Sequence, residues 1–350
     1  MSRRIKDRQP MLNTTEKDVL CVTLAGLLHD IGHGPFSHIY EMFRTDLSQH
    51  IESDSVLKAK YAMVPKVPKK WSHETASLVM IDEALKSLGL EIDLENLDEP
   101  LRQIGDGVDR LSMRVFSHVG DNRTNYKAGT QREDILTSRD FVFIKECIWG
   151  GPIPDVDEKL GKKELIGREE DEKQWLYDVV TNRFSGLDVD KVDYFARDQR
   201  RALGEAGNIN IPMIYEAVVA KATCSKRNCR VCELGEKHFM ICYPEKRVEA
   251  VMDFFKTRSV MHQKVYQHKT TISSQAMVCD ILREADLHFH MLVNNVDRPL
   301  PISRAFLDPD AYLRLTDSIL DLILHSTSPE LESARNLAER YFARDFYSEC

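Results

Sequence analysis

The sequence predicts a mainly α-helical protein with a small α+β lobe in its C-terminal half. Three observations carry that expectation. Apolar residues recur at helical spacing in most non-polar segments, first over Val19–Leu28 and last over 329–345. Helix-start residues stand before two of these runs, Thr15 with Asp18 and then Ser72, and Gly89 closes the second. One stretch, His238 to Tyr243, alternates with the period of a strand.

In chain order, residues 1–12 are polar and carry no pattern, which predicts a disordered end. The first helix starts at Thr15 and presents Val19, Leu20, Val22, Ala25, Leu27 and Leu28. The chain is polar over 44–70, with Val64–Lys70 reading as an extended linker because each proline disfavours helix in the residue before it. The second helix shows Ala76, Val79, Met80 and Leu85 on its apolar face. Residues 91–135 are mostly acidic and polar, an insertion-prone stretch with a loop from Gly120 to Thr130. Phe141–Ile148 returns to helix, and the charged run Gly150–Lys173 reads as a solvated loop. Helices are expected near 174–183 and 188–199, over 211–222, and over 246–269, 273–292, 310–325 and 329–345. The natural division is a domain over 1–205 and a C-terminal lobe over 206–350.

A chain of 350 residues can bury a substantial core. Its composition, 42% hydrophobic and 30% charged with a mean hydropathy of −0.38, is that of a soluble protein. No apolar run approaches the length of a membrane span, and no signal-peptide core follows Met1. The formal charge of −8 argues against broad nucleic-acid binding. Eight cysteines without a framework spacing indicate a reducing compartment, nucleus or cytoplasm.

The chemistry concentrates between Leu20 and His38. An apolar run ends there in three histidines and one aspartate, His29, Asp30, His33 and His38. Adjacent His29 and Asp30 offer an imidazole nitrogen and a carboxylate oxygen, a donor pair suited to Mn, Fe, Zn, Ni or Mg. Gly32 and Gly34 let the backbone leave the helix sharply, and Pro35 prevents its resumption. A lone histidine is usually a satisfied core or surface residue, but four metal-competent groups around one helix end point to a site.

His29-Asp30 followed by Gly32-His33-Gly34-Pro35-Phe36-Ser37-His38 resembles the HD-domain phosphohydrolases. In particular it is similar to the deoxynucleoside triphosphate triphosphohydrolases that carry a SAM domain before the HD domain. Trp71-Ser72-His73-Glu74, the block Gly186–Asp198 and the block Thr257–Lys269 match in order and spacing. The resemblance implies an HD-domain helical fold with a small α+β C-terminal lobe. It implies a divalent metal held by His29, Asp30 and Asp190, and water attack at the α-phosphorus that expels triphosphate. His33, His38 and His73 would then crowd the phosphates, with His73 protonating the leaving oxygen and Glu41 pairing with it to hold it in the donating form. Lys191, Arg258 and Tyr266 resemble the polyphosphate and sugar contacts. Tyr194 and Asp198 resemble the groups that hold a deoxyribose, and His262 would line the same pocket. Lys246, His268 and Lys269 resemble contacts to an activating GTP or dNTP in a homo-oligomer. dGTP is the reference substrate.

The resemblance has departures. Residues 1–28 contain no histidine, whereas the family's first metal ligand lies upstream of the HD pair, and Pro244 stands where the family has a basic residue. The sequence therefore reads as a member shortened at both ends. Two alternatives stay open, a catalytically silent subunit that joins a longer member, and an HD phosphohydrolase for another phosphate ester. Cys224, Cys229 and Cys232, with His238 and Cys242, show partial zinc-knuckle spacing, and a surface insertion with free thiols is the preferred reading.

Overall fold

The computed structural model describes residues 1–62, 64–65, 71–104, 135–154, 165–204, 211–223, 235–291 and 299–348. In chain order the elements are α1 (Ser2–Arg8), α2 (Glu16–Leu28), α3 (His38–Ser53), α4 (Ser55–Lys60), α5 (His73–Ser87), β1 (Leu90–Glu91), β2 (Arg102–Gln103), α6 (Ser138–Trp149) and α7 (Val189–Leu203). They continue with β3 (Val218–Thr223), β4 (Lys237–Cys242), α8 (Val248–Met261), α9 (Lys269–Ala285), β5 (His290–Met291), β6 (Leu300–Pro301), α10 (Pro309–Arg314), α11 (Ile319–Leu324) and α12 (Glu332–Phe342). Helix dominates, and every sheet among the described residues is a two-stranded antiparallel pair. The expectation of a mainly helical fold with a small α+β part holds. Contacts divide the chain into two interleaved units, Met1–His29 with Ile81–Ser259 and Asp30–Met80 with Val260–Cys350.

In the first unit α2 packs on α6. A capping box starts each helix: Thr15 accepts from the Asp18 amide while Asp18 accepts from Thr15, and Thr137 and Asp140 repeat the arrangement. Cys21, Val22 and Ala25 of α2 are buried, as are Ser138 and every residue of α6 from Asp140 to Ile148. Between these helices Arg168 donates to Asp18 at 2.5 Å and Asp140 at 2.7 Å, and its guanidinium lies 4.5 Å from the centre of the Phe143 ring. Lys173 adds a contact to Asp18 at 3.2 Å. Burial opposes ionisation of Asp18, but these cations outweigh it and hold the carboxyl below the usual range.

In the second unit α9 packs on α3 and α12, and α11 on α12. Tyr40, Phe43 and Leu47 give α3 its buried face, joined by Met277, Ile281 and Leu282 of α9 and Ala334 and Ala338 of α12. The alanines let α12 approach closely, as small residues at a helix contact do. Arg44 stays in the core because its guanidinium lies over Trp71 at 4.1 Å and Phe306 at 3.9 Å.

Several expectations are corrected. Residues 1–12 form α1 and a short turn, with Ile5 and Leu12 buried, because Gln9 bonds both the Val219 amide (2.7 Å) and its carbonyl (2.8 Å). These partners are far away in sequence and leave no local pattern. The polar stretch after His38 is helical through α3 and α4, since a single apolar stripe suffices to anchor α3. Lys66–Lys70 of the expected linker, and the loop from Gly120 to Thr130, lie outside the described residues. The charged segment before Lys173 is not simply a solvated face, because Arg168 and Lys173 are buried as ion-pair partners.

The expected helix near 174–183 is a 3-10 stretch, Asp171–Asp178, whose consecutive Trp175, Leu176 and Tyr177 are all buried and so show no helical stripe. Residues 211–222 hold one helical turn, Ile211–Ile214, and then β3, paired with β4 from Val218↔Cys242 to Thr223↔Lys237. Cross-strand packing of Val219 opposite Ile241 outweighs the helical reading. The expected helix over 246–269 is α8 followed by a wide π-turn, His262–Tyr266, and α9 begins four residues before the expected start, at Lys269. The expected helix over 310–325 is two, α10 and α11.

Candidate active site

His29 is the C-cap of α2. Its Nδ1 lies 2.8 Å from the Gly26 carbonyl, which can only accept, so Nδ1 carries a hydrogen and Nε2 is the nitrogen left for another partner. Nε2 lies 3.2 Å from Oδ1 of Asp190, in the first turn of α7. A proton shared between them makes this a hydrogen bond, and a divalent cation can replace that proton with both atoms as ligands. An imidazole nitrogen and a carboxylate oxygen fit a divalent metal, and Asp30 is the next residue in the chain after His29.

The neighbouring acids of α7 have other work. Asp188 caps the helix, accepting from the Lys191 amide at 3.0 Å and the Asn182 amide at 3.2 Å. Asp193 pairs with Arg197 at 3.0 Å. Lys191, expected at phosphate, reaches Asp188 at 2.8 Å. Tyr194 and Asp198 follow at i and i+4, neighbours along one helix face. The Tyr194 hydroxyl is pushed up to about 12, by burial first and then by the Asp190 charge, partly offset by Arg258. Arg258 is exposed on α8. Lys246 pairs with Glu216 at 3.4 Å, and Arg247 binds the same carboxylate.

In the second unit the chain turns between Asp30 and His38. Neither Gly32 nor Gly34 has positive φ; the left-handed residues of the turn are Phe36 and Ser37, both at φ 58°. Gly32 is there for close approach: a Cβ on it would meet the Ser77 amide nitrogen at 2.1 Å and the His73 carbonyl at 2.4 Å. The Gly32 amide donates to Ser77 Oγ at 2.9 Å, its carbonyl accepts from the Tyr312 hydroxyl at 2.8 Å, and the Phe36 amide donates to Asp317 at 2.7 Å. These bonds hold the turn in its sparsely populated conformation.

That turn gathers His33, His38, Glu41 and His73. His33 and His73 stack with ring centres 3.9 Å apart, and the His38 ring stands edge-on at 5.1 Å and 5.2 Å from them. Glu41 accepts from His73 Nδ1 at 2.6 Å and from the His73 amide at 3.0 Å, and His38 Nδ1 lies 3.6 Å from its other oxygen. Burial alone would raise the Glu41 carboxyl; the two imidazoles and the His73 amide outweigh it and leave the group well below the usual carboxylate range. The hydrogen bond to Glu41 raises His38 above its ordinary value, against a smaller opposing effect of burial. His33 Nε2 lies 3.4 Å from Asp30 and its Nδ1 3.3 Å from Ser37 Oγ.

The remaining expected residues lie on or beside the π-turn. The His262 and Tyr266 rings meet edge-on at 5.2 Å. His268 caps α9 by accepting from the Thr270 amide at 3.2 Å, and exposed Lys269 follows it. Cys224, Cys229 and Cys232 lie outside the described residues, while His238 and Cys242 belong to β4. The sequence reading missed Ser77, Tyr312 and Asp317, which position the turn without belonging to any motif. It also missed a cleft of about 560 Å³ in the first unit, lined by Lys17, Asp18, Arg139, Asp140, Arg168 and Lys173. Its charges pair with one another, so it is part of the structural network rather than the chemistry.

The model of the HD domain matches residues 1–97. The chain is 33% identical over 348 residues to the deoxynucleoside triphosphate triphosphohydrolase SAMHD1 of Gallus gallus, covering 99% of this chain and 45% of that protein. It is 34% identical to the protein of that name from Danio rerio, covering 99% and 44%, and 31% identical to that of Homo sapiens, covering 97% and 43%. The chain thus spans less than half the length of these relatives. With this similarity along nearly all of its residues, the chain belongs to the HD-domain family, in the branch of the SAMHD1-type triphosphohydrolases.

Proposed function

We propose that this chain hydrolyses deoxynucleoside triphosphates to a deoxynucleoside and inorganic triphosphate. The observation that carries the reading is the approach of His29 Nε2 to Asp190 at 3.2 Å with Nδ1 tethered to Gly26. His29, Asp30 and Asp190 would hold a divalent metal, Mn, Fe, Zn or Mg. When bound, such an ion polarises a phosphoryl oxygen and lowers the pKa of water. The water oxygen bonds to the α-phosphorus and gives up one proton to solvent while the Pα–O5′ bond breaks, so that the deoxynucleoside and intact triphosphate part; cleavage at the α–β bridging oxygen would release the monophosphate and pyrophosphate instead.

The 5′ oxygen then needs a proton. His73 supplies it: Glu41 grips its Nδ1, which fixes the ring and leaves Nε2 as the second nitrogen for transfer. His33 and His38 meet the phosphate charge, and Lys191 and Arg258 neutralise the rest of the polyphosphate. Tyr194, Asp198, His262 and Tyr266 bind the sugar, the acid accepting from the 3′-hydroxyl while the aromatics fill the space beside C2′. GTP or a dNTP activates through Lys246, His268 and Lys269 in a homo-oligomer or with a longer member, in the nucleus or cytoplasm. No described helix is long and apolar enough to cross a membrane.

The test is product analysis with dGTP and Mn²⁺ or Mg²⁺, with and without GTP, beside Asp190→Ala. Equal amounts of deoxyguanosine and triphosphate, abolished by the substitution, are expected. Release of phosphate or pyrophosphate would instead favour an HD phosphohydrolase for another ester. Nucleotide binding without turnover would favour a regulatory subunit.

A further inference from the structure

We propose that His33, His38, Glu41 and His73 form a second, separate cation site that takes Zn²⁺. One ligand atom from each of the four lies within 4.8 Å of the others. Three imidazoles and a carboxylate are a complete tetrahedral donor set of the kind zinc prefers. The clustering is also hard to explain by packing alone. His33 and His73 are held face to face at 3.9 Å, His38 closes the third side, and Glu41 joins His38 and His73 through one carboxylate.

A zinc ion at about 2.0–2.1 Å from each nitrogen brings neighbouring donors to about 3.3 Å of one another. The four donor atoms lie within 4.8 Å of one another, Glu41 at 2.6 Å from His73 and 3.6 Å from His38, and rotation of the imidazoles brings them to that spacing. The ion replaces the hydrogens that now lie between Glu41 and the two rings, so Glu41 changes from hydrogen-bond acceptor to ligand. The backbone need not move. The turn that carries His33 and His38 is fixed by Ser77, Tyr312 and Asp317, and His73 starts α5. The second unit supplies all four donors, so binding does not depend on the metal held by His29 and Asp190. One consequence does rest on the proposed function: zinc occupying the His73 ring removes the proton donor, so Zn²⁺ inhibits hydrolysis while leaving the other metal in place.

The experiment is calorimetric titration of Zn²⁺ into the full chain carrying Asp190→Ala, which disables the first site. One zinc per chain is expected. Adding His38→Ala to that background should abolish this binding, and adding Glu41→Gln should weaken it about 10–100-fold, the range typical of groups that support a metal site. Circular dichroism checks that each variant is folded, and Co²⁺ titration reports four-coordinate geometry through its visible bands. Absence of zinc binding in the folded Asp190→Ala chain overturns the proposal, as does binding that His38→Ala and Glu41→Gln both leave intact. These readouts need no substrate, so they stand apart from success or failure of the triphosphate assay. Triphosphate release by the unsubstituted chain that stays unchanged when this site is filled with Zn²⁺ would overturn the inhibitory consequence alone.

Discussion

Two regions of this molecule are crowded with charge, and they differ in what the charges have left to do. Around Arg168, between α2 and α6, the cation and its acids Asp18 and Asp140 are buried and joined at 2.5–2.7 Å. Around Glu41, the histidines are partly accessible, with the His38 side chain 70% exposed, and their rings stack on one another as much as on the acid. The first arrangement closes on itself and stabilises. The second keeps nitrogen lone pairs and protons near solvent, where a phosphate or a metal can reach them. Density of titratable groups does not mark a site; accessibility with unfinished coordination does.

That contrast can be broken experimentally, starting with the largest effect. Asp190→Ala should reduce triphosphate release from dGTP to background while thermal unfolding changes little, because Asp190 is part-exposed and faces His29 rather than the core. A large loss of stability would move Asp190 into the structural class. Arg168→Ala should do the reverse. It leaves buried Asp18 with Lys173 and buried Asp140 with Lys17 as their remaining cations and should cost about 3–5 kcal/mol in denaturant unfolding. A loss under ~1 kcal/mol would show that water reaches the network.

Gly32→Ala forces a methyl group onto the Ser77 backbone and should cost about 1–3 kcal/mol, with displacement of His33 visible as reduced turnover. Wild-type stability would show that α5 can retreat. The smallest effect is that of pH. Glu41 is depressed, so its contribution is present above the ordinary carboxylate value of 4.5 and is lost as pH falls through the folded value. His38 is raised, so its contribution is complete below 6.5 and fades as pH rises through the folded value. Stability supplied by the pair is therefore greatest between those two ordinary values. Glu41→Gln should flatten the decline above 6.5 in urea unfolding across pH 5–9, and an unchanged slope would separate His38 from Glu41.

Much of this was legible in the sequence, for identifiable reasons. The capping box at Thr15 and the alternation of His238–Tyr243 are local signals, and they became α2 and β4. His29, Asp190, Glu41 and His73 were assigned through a family resemblance; the pairs His29–Asp190 and Glu41–His73 meet at 3.2 Å and 2.6 Å. What stayed hidden depends on partners remote in sequence. Arg168 reads as one more charge in a charged run until Asp18 is brought 150 residues to meet it. Gly32 reads as a flexible exit from a helix, whereas its function is to let α5 press against the backbone. Ser77 and Tyr312 carry no motif, because a hydroxyl that steadies a turn looks like any other hydroxyl.

The side chain of Gln9 has a consequence beyond ordering the N-terminal helix. A two-stranded ribbon has outer edges on which another chain can add, the usual start of intermolecular β-aggregation. Gln9 presents an amide group shaped like a peptide bond to the outer edge of β3, bonding Val219 at both its donor and its acceptor. One residue thus imitates a neighbouring strand for the length of a single peptide unit. A strand adding at that edge would first have to displace Gln9, a residue 210 positions away in sequence from the one it covers.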